Sequence, residues 1–255
     1  MNRRFIKQII YGAGYLVVLF LIVFGVYLYA LKPATSCFDN KQNRNETGID
    51  CGGTCIPCDI KSLSPLQISL QKYFISGDRI ITVSEIKNLN QNYGADYFDY
   101  KISLLDKDET FIKNVSGNSY IYAGEIKHVI EILSITSEEA EKMSTMNTGI
   151  LNINWKNREE FSKPDVQPRS LTAELNQIPP TISGIAVNTS AISVSRATVF
   201  GFVYNNFGLI ASASKTEIES IPAFGEKSFK ITFPRDLNLN NINPEGYTVF
   251  IEARQ

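Results

Sequence analysis

Phe98-Asp99-Tyr100-Lys101-Ile102-Ser103-Leu104 alternates apolar and polar side chains for seven residues. That is the period of a strand with one face in a core and one in water. Leu151, Ile153 and Trp155 alternate with Asn152 and Asn154 in the same way. Around these lie strand-like runs at Leu66 to Phe74, Arg79 to Ile86, Ser119 to Tyr122 and Glu125 to Leu133. Turn signals separate them: Ser76-Gly77-Asp78, Asp106-Lys107-Asp108 and Ser116-Gly117-Asn118. About seven short strands in about 100 residues is the size of a β-sandwich, and residues 66–156 are read as one. Ser137 to Met143 alone reads as helical, with Thr136 and Glu139 as a capping box.

Prolines at 164, 168, 179 and 180 mark residues 157–180 as a linker, with a helical turn at Leu171 to Leu175. Residues 181–255 then repeat the β pattern. Phe229, Ile231 and Phe233 alternate with polar residues, as do Tyr247, Val249, Ile251 and Ala253, and Phe250 alone is apolar on the polar face. The two halves look like copies displaced by about 100 residues. Tyr122-Ala123-Gly124-Glu125 corresponds to Pro222-Ala223-Phe224-Gly225-Glu226, and Ser103-Leu104-Leu105-Asp106 to Phe202-Val203-Tyr204-Asn205.

At the other end, the 23 residues from Ile9 to Leu31 carry no charge. As a helix they span about 35 Å, enough to cross a hydrocarbon core of about 30 Å. Arg3, Arg4 and Lys7 precede the run and only Lys32 follows it before Pro33. The basic bias assigns residues 1–8 to a cytoplasmic stub, 9–31 to a transmembrane helix in contact with lipid, and the rest to the outside of the cell membrane. The run is longer than the apolar stretch of a cleaved signal peptide, and Ala34-Thr35-Ser36-Cys37 is a poor acylation box, so the segment is expected to remain as an anchor.

The whole chain has 25 bases and 26 acids, but four bases and no acid fall within residues 1–32. The remainder holds 21 bases against 26 acids, which argues against nucleic acid as a partner, since that needs a basic stripe.

All four cysteines, Cys37, Cys51, Cys55 and Cys58, fall in the 22-residue module 37–58. Outside the cytoplasm they read first as two disulfides, with all three pairings open. So short a segment buries too little apolar surface to hold itself together and needs staples. Zinc on four thiolates and a redox pair at Cys55-Ile56-Pro57-Cys58 are the lesser readings. Asp39, Asn43, Glu46 and Asp50 supply oxygens at spacings of three or four residues, the donor type for calcium; the plainer reading is a solvated polar loop.

Two resemblances follow from these residues. Cys37-Phe38-Asp39, Asn43, Glu46, Asp50-Cys51-Gly52-Gly53-Thr54-Cys55 and Cys58 fit C-x-D-x3-N-x2-E-x3-D-C-G-G-x-C-x2-C. This resembles a cysteine-rich motif of bacterial surface and secreted proteins, and it implies a cell-surface, structural and ion-binding role. Phe202-Val203-Tyr204-Asn205-Asn206-Phe207-Gly208 with Gly225-Glu226 resembles the FxLYD family of immunoglobulin-like envelope modules, although Asn205 stands where that family has aspartate. In the first copy Leu105 replaces the tyrosine.

The sequence contains no G-x-S-x-G, no paired metal histidines and no phosphate loop. Its one histidine, His128, lies in a strand on the face opposite Lys127 and Val129, where packing is the common role. The expectation is a mainly β, noncatalytic, single-pass envelope protein. It would display two tandem immunoglobulin-like β-sandwich domains to a protein or cell-surface partner, or act as a spacer. The alternatives are an accessory subunit of a secretion or pilus-like assembly, and a redox or enzymatic protein using the cysteines.

Overall fold

A computed structural model describes residues 3–31, 36–43, 45–235, 237 and 241–254. Lys32 to Thr35, which bear on the end of the apolar run and on the acylation box, lie outside them. The chain divides into two compact units, residues 1–63 and 64–255.

In the first unit, helix α1 (Arg3–Val26) continues as a π-helical turn, Tyr27–Leu31. It begins six residues before the expected span, because nothing in Arg3 to Gln8 breaks a helix. Arg3–Tyr29 is long and apolar enough to cross a membrane, a test that a signal sequence also passes. No residue of α1 is buried in the protein. The cysteine module follows, with a short helix α2 (Cys58–Lys61) at its end.

The second unit is built of strands. Its first half holds β1 (Gln67–Ser76), β2 (Arg79–Lys87), β3 (Tyr93–Leu105), β4 (Phe111–Ile121), β5 (Ile126–Ser134) and β6 (Thr145–Asn157). Helix α3 (Ser137–Lys142) precedes β6, and its capping box is formed: Thr136 Oγ1 accepts the Glu139 amide at 3.2 Å and Glu139 Oε2 accepts the Thr136 amide at 2.8 Å. The second half holds β7 (Val166–Glu174), β8 (Thr181–Asn188), β9 (Val194–Asn205), β10 (Ile210–Ile221), β11 (Glu226–Thr232) and β12 (Ile242–Arg254). Sheet β1-β2-β5 faces sheet β4-β3-β6, and sheet β7-β8-β11 faces sheet β10-β9-β12, with every pairing antiparallel. The six strands of each half are therefore joined in one and the same order, as a tandem duplication requires.

The alternation does what the sequence implies. Phe98, Ile102 and Leu104 are fully buried in the first core beside Ile80, Ile86 and Ile121. Ile182, Val199, Val203, Ile231 and Phe233 fill the second. The duplication extends to a buried asparagine at the end of the second strand of each half. Asn88 Nδ2 donates to the carbonyls of Tyr93 (2.7 Å) and Tyr122 (3.0 Å), while Asn188 Nδ2 donates to those of Ile192 (2.8 Å) and Pro222 (3.0 Å). Each is 1% exposed and ties the end of its strand to two neighbouring segments of its half.

The linker expected at 157–180 is corrected. Its middle is β7, which pairs along β8 from Val166↔Asn188 to Glu174↔Thr181. Pro168 is tolerated because β7 is an edge strand, where the missing N–H disrupts no central ladder. The helical turn expected at Leu171 to Leu175 is strand as far as Glu174, with a register shift between Arg169 and Thr172. Leu171 and Leu175 belong to the second core.

The two sandwiches are also not separate beads. Strand β2 sends Ile80 and Ile86 into its own core and Ile81 and Val83 the other way, where with Ile130 they meet Phe200, Phe202 and Ala213 of the second sandwich. The β1-β2-β5 sheet thus packs its outer face on the outer face of β10-β9-β12, which makes four sheets with three apolar layers. At about 1.5–3 kcal/mol for each large side chain buried, the middle layer contributes on the order of 10 kcal/mol before the cost of fixing the sandwiches together.

Candidate functional site

In the cysteine module the bonds are Cys37–Cys55 and Cys51–Cys58. Cys55 and Cys58 are not bonded to each other, as a C-x-x-C redox pair would be, and no cysteine is free as a thiolate for zinc. Gly52 and Gly53 have φ of 79° and 62°, and a Cβ there would collide with Thr47 and with the Asn45 carbonyl, so the Cys51-Gly52-Gly53 turn accepts only glycine.

The four predicted cation ligands separate into two roles. Asp50, 5% exposed, turns its carboxylate inward. Its Oδ1 accepts the amides of Asp39 (3.0 Å) and Asn40 (3.1 Å), its Oδ2 accepts Asn40 again (3.0 Å), and Lys61 Nζ stands 3.7 Å away. A carboxylate so supplied with donors is an organiser of the loop, not a ligand. Asp39, Asn43 and Glu46 cluster instead. Asn43 Nδ2 donates to Asp39 Oδ2 at 2.8 Å, and the Asn43 amide donates to Glu46 Oε2 at 3.0 Å. Desolvation works to raise the Asp39 carboxyl, but the hydrogen bonds from Asn43 and from the Lys41 and Ser36 amides, with the Lys41 charge, hold it below the ordinary range.

A second constellation, which sequence reading missed, sits where the two sandwiches meet. Lys127 Nζ lies 3.5 Å from the centre of the Tyr120 ring and 2.7 Å from Glu252 Oε2. Glu252 Oε1 accepts the His128 amide at 2.8 Å and lies 3.1 Å from His128 Nδ1. His128 Nε2 is 3.8 Å from Glu85, and its ring stacks on Phe250 with centroids 4.7 Å apart. Phe250 therefore rests a ring face on the first sandwich while staying 39% exposed, which accounts for its place on the polar face of β12. The signal for this contact was Phe250 together with Phe200 and Phe202: apolar residues on both faces of neighbouring strands.

Burial would raise the Glu252 carboxyl, but the Lys127 charge and the contacts with Lys127 and His128 outweigh it and hold the group below its ordinary value. Burial pushes the Tyr120 hydroxyl up, and burial with Glu131 does the same to Tyr100. A cleft of about 600 Å³ runs beside this cluster, flanked by Arg196, Lys215, Glu217 and Arg254. Lys215 Nζ closes one side by donating to the Ile130 carbonyl at 2.6 Å, and Tyr122 Oη donates to the Ala253 carbonyl at 3.1 Å. Lys127, His128 and Glu252 spend their polar atoms on one another across the junction, the arrangement of a joint.

No family model and no curated protein matches the chain. Among the solved structures that match is a crystal structure of red sea bream transglutaminase, 13% identical, with a TM-score of 0.23. The match covers 76% of this chain and 30% of that one.

Proposed function

We propose that the chain is a noncatalytic, single-pass protein of a bacterial cell envelope, anchored by its N-terminal helix and carrying its two immunoglobulin-like sandwiches outside the cytoplasm as one binding or spacing body. The observation that carries this reading is α1, an apolar helix with none of its residues buried in the protein and with Arg3, Arg4 and Lys7 at one end. An apolar surface of that length finds its low-energy environment in a bilayer, and the basic end favours the cytoplasm. Two disulfides suit an oxidising compartment, and the cysteine motif and FxLYD resemblances point the same way.

The joint between the sandwiches refines the display role. With a shared apolar layer and a buried ion pair between them, the two present their outer surfaces at a fixed spacing. A second reading, an accessory subunit of an envelope assembly, is favoured by β12: it is 13 residues long and edges its sheet, with no strand paired on its far side among the described residues. Such an edge accepts an added strand.

Protease added to intact cells is expected to remove residues 64–255 from a chain tagged at its N-terminus while leaving the tag. Protection of the sandwiches in sealed cells, and digestion only after lysis, would overturn the topology. Detergent pull-down of a stoichiometric complex would replace the display reading with the assembly one.

A further inference from the structure

Two buried acceptors in the cysteine module lack a donor. Asn43 Oδ1 is enclosed, with no hydrogen-bond partner among the described residues. Glu46 is 9% exposed, and its Oε1 has as neighbour Cys55 Sγ at 3.1 Å, a sulfur already bonded to Cys37 and therefore without a hydrogen to donate. Buried acceptors left without donors cost free energy unless a water or an ion answers them, and a buried carboxylate oxygen against a sulfur lone pair costs more than most. Both belong to one short loop closed by disulfides, and Asp39 joins them through the Asn43 side chain.

We infer that Asp39, Asn43 and Glu46 form a site for a hard divalent cation, calcium, with Asp50 as its organiser. The ligands are Asn43 Oδ1, Glu46 Oε1 and the Asp39 carboxylate. All three are oxygens, two carry charge, and the nearby sulfurs are locked in a disulfide that offers no thiolate to a softer metal. Calcium, which accepts six to eight oxygens in loose geometry, suits a loop that supplies three and leaves the rest to water, whereas magnesium demands a tighter octahedron. Asp50 serves the site by holding the amides of Asp39 and Asn40 and so fixing where the Asp39 side chain begins. Three protein ligands make a weak site, with Kd on the order of 10⁻⁴–10⁻³ M, the range of extracellular modules. The inference does not rest on membrane topology, since the purified chain binds or fails to bind wherever it resides in the cell.

The test uses the full chain in detergent, with disulfides intact and metal stripped by chelator, titrated calorimetrically with calcium chloride. One site is expected, together with slower amide exchange across residues 37–58 in the bound form. Glu46→Gln should weaken binding about tenfold or more, provided peptide mapping still finds Cys37–Cys55 and Cys51–Cys58. Asn43→Asp should tighten it, an outcome that a damaged fold does not produce. No heat and no change in exchange up to about 10 mM calcium would overturn the inference. So would a Glu46→Gln chain that binds like the parent, or oxidised chain that takes zinc in preference to calcium.

Discussion

Replacing Glu252 by glutamine tests whether the two sandwiches stand or fall together. The substitution keeps shape and an acceptor for the His128 amide but removes the negative charge 2.7 Å from Lys127 Nζ, where both side chains are 5% exposed. Breaking a buried pair from one side costs about 3–5 kcal/mol, because the remaining charge stays buried without its partner. Tyr120, with its ring centre 3.5 Å from Nζ, still offers the ammonium a cation–π contact worth about 2 kcal/mol, so the expected loss is at the lower end, about 3 kcal/mol. With a urea dependence near 3 kcal/mol per molar for a unit of this size, the unfolding midpoint should fall by about 1 M. Trp155 is the only tryptophan and is packed against the first core, whereas Glu252 lies on β12 of the second sandwich. If the joint couples them, Trp155 fluorescence and far-ultraviolet dichroism will shift by the same amount. Adding Lys127→Met should recover more than half of the loss, since it removes the stranded charge. A dichroism midpoint that drops while the Trp155 midpoint stays fixed would refute the coupling; no drop in either would refute the stabilising role of the pair.

Acid should act on the same group. Because Glu252 is held below its ordinary value when folded, its contribution is present above about pH 4.3, the unfolded value, and is lost as pH falls through the lower folded one; melting curves of the parent should fall more steeply than those of Glu252→Gln in that window. Asn188→Ala removes the side-chain donor to the Ile192 and Pro222 carbonyls, which keep Ser190 Oγ and the Gly225 amide, and should cost about 2 kcal/mol by urea titration, with Asn88→Ala similar in the first half, where the Tyr122 carbonyl keeps the Glu125 amide. Asp50→Asn exchanges a charged acceptor for an amide beneath the Asp39 and Asn40 amides. Their hydrogen exchange should quicken by about tenfold or more, corresponding to roughly 1.5–3 kcal/mol, while exchange in β3 stays unchanged.

Strand alternation carried the fold because each strand has one face that must enter its own core: Phe98, Ile102 and Leu104 announce theirs without ambiguity. The same logic concealed β7. An edge strand tolerates Pro168 and carries few buried side chains, so its composition is that of a connector. The stacking of the sandwiches was visible only as anomalies, Phe250 and the unbroken apolar run around Phe200 and Phe202, since a strand buried on both faces, as β9 is, loses the alternation by which strands are recognised. In the cysteine module the residue types were legible but their division of labour was not. Asp39 and Asp50 are the same side chain; Asp50 becomes an organiser only because the closed loop turns two backbone amides toward it.

The stacking also joins unlike surfaces. The first sandwich offers its β1-β2-β5 sheet and the second its β10-β9-β12 sheet, so two copies of one topology meet head to tail rather than about a twofold axis. A contact of that kind does not close on itself, and nothing in its geometry forbids a third copy from adding to the free end of the row. The free end is chemically different, however. Where β9 presents Phe200, Phe202 and Tyr204 to its neighbour, the matching positions of β3 hold Lys101, Ser103 and Leu105. The polar Lys101 and Ser103 terminate the row as a capping repeat terminates a solenoid, so Lys101→Phe with Ser103→Phe would be expected to turn a finite pair of domains into the start of a filament.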